Sequence, residues 1–308
     1  MESTQILSLD DLLQELINKG LIIKDVDRAK RYLTHIGYYR LINYSAYFQT
    51  NKQFRKNVSF DDVLNLYIFD RKLRLLILEA VERIEVSIRA SIADVLALKH
   101  NDSHFYANPD MFTNKANHSK FMDKVIDSLK NSDITHNDNY TQSMFHNGKN
   151  HKLPPSWELF HLMTFKQLSV FVANLKHHNS KMIADKFNLR MAKVFISWIH
   201  SISDLRNICA HHSRVWNRLF GTIPMVPQLD ASSIVKIPDE INVEENLIKI
   251  KPHRKLYFQV VILWFFLKQI NPGSTWVSRL SNLIDEYKIP AKHMGFPDDW
   301  LDDKFWKI

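Results

Sequence analysis

Between Ser203 and Arg218 the chain reads SDLRNICAHHSRVWNR, placing three arginines, two asparagines and two histidines within sixteen residues. With no glycine or proline from Met191 to Phe220, this stretch reads as one long helix closed by Gly221. At about 100° per residue, Asn207, His211, Arg214 and Arg218 fall within roughly 60° of one another, and Arg206 sits at the boundary. The opposite stripe of Phe195, Trp198, Ile202, Leu205, Cys209, His212, Trp216 and Leu219 should face a core. Guanidinium groups crowded around one imidazole repel its protonated form, so the polar cluster is a poor device for stability. It suits a phosphodiester. A neutral histidine takes the proton of an RNA 2′-hydroxyl, a protonated one gives a proton to the leaving 5′-oxygen, and arginine holds the non-bridging oxygens. That chemistry needs no metal, and no cofactor is expected. Such faces also occur on plain solvated or interface helices, and spacing alone leaves both readings open.

Other chemistry is less well supported. His100 and His104 stand four apart but have no third ligand nearby in sequence. Cys209, the single cysteine, lies on the core stripe, where a thiol is inert, and it excludes a disulfide framework or a cysteine-based zinc site. His161 and His200 lie in amphipathic stretches as structural histidines. No phosphate-cradling glycine loop is present, which argues against nucleotide hydrolysis and nicotinamide chemistry. In GYYRLINYSAYFQ, Tyr38, Tyr39, Tyr44 and Tyr47 surround Arg40 and could stack bases beside a phosphate contact. Tyrosines packing a small helical subdomain are the plainer reading.

Few glycines and prolines, 6 and 10 in 308 residues, and long runs at 3.6-residue spacing predict an all-α protein. A capped helix starts after Ser8 and ends at Gly20, and a second runs from Asp25 or Asp27 to Gly37, making an N-terminal hairpin. Leu66, Leu73, Ile77, Ala80, Ile84 and Ile88 mark one helix from Phe60 to about Lys99. Glu79 with Arg83, and Glu85 with Arg89, are acid-first pairs four apart, read as a solvated face. Residues 101–153 are polar, with one helical stretch from Phe121 to Leu129, and are taken as an insertion or mobile loop. Helices follow from 157 to 163, 165 to 177 and 181 to 187. Residues 222–247 form an irregular connection, and an apolar helix from Tyr257 to Lys268 and another near Trp276 to Tyr287 complete the chain. The expected domains are an N-terminal helical subdomain over 1–56, a helical bundle over 57–220, and a linker with a helical extension over 221–308.

Lysines and arginines number 41 against 33 acids, a net charge of +8 that favours polyanionic partners. The N-terminus lacks a basic flank and apolar run, and Val260–Leu267 is far shorter than the roughly 20 residues that span a bilayer. A cytoplasmic location without membrane association is expected.

Arg206-Asn207-Ile208-Cys209-Ala210-His211 resembles the Arg-x4-6-His motif of the HEPN superfamily, including the polar residue after arginine that many active members carry. With GLIIKDVDRAKRYLTHIGYYRL, FDRKLRLLILEAVERIEVSIRASIA and LPPSWELFHLMTFKQLS, the chain resembles the Abi-like branch, the abortive infection proteins of the AbiD and AbiF type. The blocks extend from residue 8 to 220. The resemblance implies a helical bundle whose motif helices pair across a homodimer, placing two Arg and two His in one cleft. It implies metal-independent RNA cleavage leaving a 2′,3′-cyclic phosphate, in phage defence or as a toxin restrained by a small RNA or an antitoxin protein. By position, Arg206 would stabilise the transition state, His211 would be acid or base, and Asn207 would orient the histidine or bind phosphate. Arg214, Arg218 and Arg40 would support RNA, and Glu82 and Glu85 would position Arg206. A non-catalytic RNA-binding or scaffolding HEPN protein is the alternative.

Overall fold

The structure, a computed structural model, describes residues 7–130, 141–227, 234–243 and 248–307 and is mainly helical. It divides into two compact units, one of residues 1–74 with 279–289 and one of residues 75–278 with 290–308. Two helices, α4 (Phe60–His100) and α11 (Trp276–Glu286), contribute residues to both.

In the smaller unit, α1 (Leu9–Asn18) begins at a capping box in which the Ser8 and Asp11 side chains satisfy each other's backbone N–H groups. The turn after it ends in Gly20. Helix α2 (Val26–Ile36) is capped by Asp25 and stopped by Gly37, whose φ of 89° lies in the region that favours glycine. Helix α3 (Tyr38–Ser45) buries Leu41 and Tyr44. The Tyr44 hydroxyl donates to Asp70 at 2.6 Å, and Arg74 pairs with the same carboxylate. Burial, then the Asp70 charge, holds the Tyr44 phenol well above its usual range, so it stays a neutral donor. Packing therefore accounts for Tyr44, whereas Tyr39 is exposed. A two-residue hairpin of β1 (Gln49–Thr50) and β2 (Gln53–Phe54) precedes α4. The predicted apolar stripe of α4 is buried throughout.

The larger unit is built around α9 (Ala192–Ala210), which packs against α7 (Phe165–Asn174), α8 (His177–Lys186) and α10 (Leu256–Ile270). Trp198 of α9 meets Phe265 of α10 edge to face, with ring centres 5.1 Å apart, and Phe187 stacks on Phe195. Ser201 and Gln259 exchange a buried hydrogen bond across α9 and α10. The near-continuous apolar surface of α10 is explained by burial of every residue from Leu256 to Leu267. The indoles of Trp198, Trp216, Trp264 and Trp276 are fully enclosed.

Three expectations are corrected. The polar segment is ordered wherever it is described: α5 (Lys115–Lys130) is longer than its apolar centre suggested, and β3 (Gln142–His146) pairs with β4 (Lys149–Leu153). Phe105, Tyr106, Met111 and Phe112 anchor it by burial. Residues 131–140 lie outside the described residues. The Glu85–Arg89 pair is largely buried rather than solvated, because Arg89 also caps a carbonyl of Phe160 in α6 (Ser156–Leu162). The connection after Gly221 contains a short hairpin, β5 (Ile241–Val243) with β6 (Ile248–Ile250).

Candidate active site at the end of α9

The predicted helix to Phe220 stops ten residues early. His212 takes φ 56°, its N–H donates to the Cys209 carbonyl at 3.0 Å, and the Ser213 N–H reaches back to Ile208 at 3.0 Å. These two bonds are a Schellman ending, usually built on glycine, here with histidine at the left-handed position. Two features of the helical projection therefore change. Arg214 and Arg218 belong to the chain beyond the helix, and His212 is exposed rather than on the core stripe. Trp216 is still buried, but Leu219 is 63% exposed. Phe195, Trp198, Ile202, Leu205 and Cys209, all within the true helix, are buried as expected.

Arg206, Asn207 and His211 remain together. Exposed Arg206 donates to the Asn207 Oδ1 at 3.3 Å, and the His211 backbone N–H donates to the Asn207 carbonyl at 2.9 Å. His211 is the C-cap, with φ −84° and ψ 12°, and its side chain is exposed. One helix end thus presents a guanidinium, a carboxamide and an imidazole at the surface.

After the reversal the chain returns along α9. Arg218, Phe220, Gly221 and Thr222 face Asp204, Asn207 and Ile208 across a cleft of about 290 Å³. Arg218 is steadied by its own Nη1 donating to the Arg214 carbonyl at 3.2 Å. Asn207 therefore touches Arg206 on one side and shares the cleft with Arg218 on the other. Asp204 is occupied, accepting from Lys166 at 3.1 Å and from the Thr222 hydroxyl, so the acid in the cleft wall is partly neutralised. Behind the loop, Lys255 donates to Asn217 Oδ1 at 2.6 Å, and burial followed by the charge of Arg214 pushes its ammonium down to about 8. Asp204, Thr222, Gln259 and Lys255 were not singled out from sequence. Asp204 alone had a usable signal, lying three residues before Asn207 on the same helix.

The remaining predicted residues are spread out. Glu85 is engaged by Arg89, and Glu82 is exposed on α4; neither is among the hydrogen-bond or ion-pair partners of Arg206 in the described residues. Arg40 is exposed on α3 in the smaller unit. His100 bonds Asn179 and His104 bonds the Leu153 carbonyl, so the two imidazoles have separate structural partners. His200 bonds Ser169, and burial, reinforced by Lys166, lowers its basicity, as befits a structural histidine. His161, by contrast, is exposed. No helix among the described residues is long and apolar enough to cross a membrane.

A family model described as Abi-like protein matches residues 31–217, a span that contains the whole Arg206–His211 group. No curated protein and no solved structure matches the chain.

Proposed function

The chain belongs to the family of Abi-like proteins, whose name points to abortive infection, and from that premise we propose that it is an endoribonuclease of the HEPN type acting in that defence. The observation that carries this reading is the joint exposure of Arg206 and His211 on either side of Asn207 at the end of α9. In the reaction, the RNA 2′-oxygen attacks phosphorus as a histidine removes its proton. The bond from phosphorus to the 5′-oxygen breaks, and that oxygen takes a proton from a second acid. The products are a 2′,3′-cyclic phosphate and a free 5′-hydroxyl, with no change of oxidation state. Arg206 faces the non-bridging oxygens as charge develops there. Asn207 orients the two side chains, and Arg218 extends the cationic track into the neighbouring cleft.

A single His211 cannot be base and acid in the same instant; as the resemblance to HEPN proteins implies, a second copy of the chain supplies the other imidazole in a homodimer. A toxin of this kind also requires restraint by a small RNA or an antitoxin protein. The test is cleavage of RNA by purified protein in EDTA, with end analysis for the cyclic phosphate. Arg206→Ala and His211→Ala should each cleave at least a hundredfold more slowly while melting like the parent. Cleavage that requires added metal, or full activity in both variants, overturns the proposal. RNA binding without cleavage by the parent favours the scaffolding alternative.

A further inference from the structure

A second cationic cleft, of about 570 Å³, lies within the smaller unit between α2 and α4. Its walls are one stripe from each helix. From α2 come Arg28, Arg31, Tyr32 and His35, and from α4 come Tyr67 and Arg71, over an apolar floor that includes Leu64 and Ile68. The positions recur at three and four, the spacing that on most helices supplies a continuous apolar seam. Here the seam is opened and lined with guanidinium groups and phenol rings.

Both rings are preset. Arg28 pairs with Asp61 and lies 5.2 Å from the centre of the Tyr32 ring. Tyr67 meets Tyr44 edge to face at 5.5 Å, and Tyr44 is itself fixed by the buried Asp70–Arg74 pair. Arg31, His35 and Arg71 are exposed, and their side chains make no hydrogen bond or ion pair to another described residue. Asp61, the partner of Arg28, is not among the residues that line the cleft.

We propose that this cleft binds a nucleotide, with the base against Tyr32 or Tyr67 and the phosphate on Arg31 and Arg71. The proposal is independent of the endoribonuclease reading. The volume lies within the roughly 300 to 1,000 Å³ usual for ligand pockets. A peptide phosphorylated on serine or threonine, or a lipid headgroup, offers the anion but no flat ring to match two tyrosines; a nucleotide offers both. The nucleotide arrives either within a single strand of RNA or as a free molecule, and these sources share the recognition chemistry.

The test uses the full-length protein and a short, uncleavable 2′-O-methyl oligouridylate carrying thiouridine for photocrosslinking. The expected crosslink maps to a peptide holding Tyr32 or Tyr67. Arg31→Gln with Arg71→Gln should weaken binding by roughly tenfold and, with two phosphate contacts gone at about 0.7 each, flatten the slope of log affinity against log salt by about 1.4. Thermal melting should be unchanged, because both side chains are exposed. Displacement of the strand by a comparable concentration of uridine triphosphate identifies a free nucleotide as the source; failure to displace it identifies the strand. Either result supports the cleft if the crosslink and the arginine effect are present. A crosslink confined to other peptides, or unchanged affinity and slope in the double variant, overturns it.

Discussion

At the scale of single residues, the proposed reaction assigns Arg206 and His211 different duties beside one carboxamide. Loss of an acid–base histidine removes about 10² to 10⁴ in rate, and His211→Ala should fall in that range when single-turnover cleavage is measured. Arg206→Lys should recover little of the loss in Arg206→Ala, since a point charge lacks the planar fork that grips two oxygens, and the same assay checks it. Lys255 permits a prediction on pH. Its ammonium is near 8 when folded against 10.5 ordinarily, so above pH 8 the unfolded chain binds more protons and stability rises with pH. That contribution is complete above the unfolded value and disappears as pH falls through the folded one. Between pH 8 and 9.5 the melting temperature should therefore climb in the parent relative to Lys255→Met, as followed by thermal denaturation at a series of pH values. Parallel curves would exclude Lys255 as the source.

At the scale of elements, the ends marked by a capping residue or a glycine were legible, as with Ser8, Asp25 and Gly37. The apolar stripe of α4 was legible too, because its spacing is a direct consequence of burying one face. The end of α9 was not, because a histidine stands where glycine normally takes a positive φ, and nothing in the residue types flags it. The pairing of Arg206, Asn207 and His211 was visible because it lies within or next to one turn. The return of Arg218 was visible only as a charge, since its placement depends on the reversal. The basic cleft between α2 and α4 was missed for a related reason. Its stripes are each readable, but their juxtaposition comes from packing. The cap itself is open to test: His212→Val, with a β-branched residue forced to positive φ, should lower stability by about 1 to 3 kcal/mol in denaturant melts. His212→Asn should be tolerated far better, because asparagine visits that region readily. Equal stability of the two would contradict the Schellman assignment.

At the scale of the whole molecule, a homodimer is required if two imidazoles share one phosphodiester. Specific activity should then fall with dilution, in step with the dimer fraction seen by light scattering; activity independent of dilution in a monomer would rule out the shared cleft. The surplus of positive charge makes any RNA association salt-sensitive, whichever cleft holds the strand. The division into two units also sorts the chromophores. All seven tryptophans, at 157, 198, 216, 264, 276, 300 and 306, fall in the larger unit, whereas Tyr32, Tyr38, Tyr39, Tyr44, Tyr47, Tyr67 and Tyr287 fall in the smaller. Emission excited selectively through indole thus reports the larger unit and carries no intrinsic signal from α1 to α3. Phenol absorbance draws mostly on the other unit, so an unlabelled sample already holds two optical channels through which ligand arrival or loss of structure can be assigned to one part of the chain.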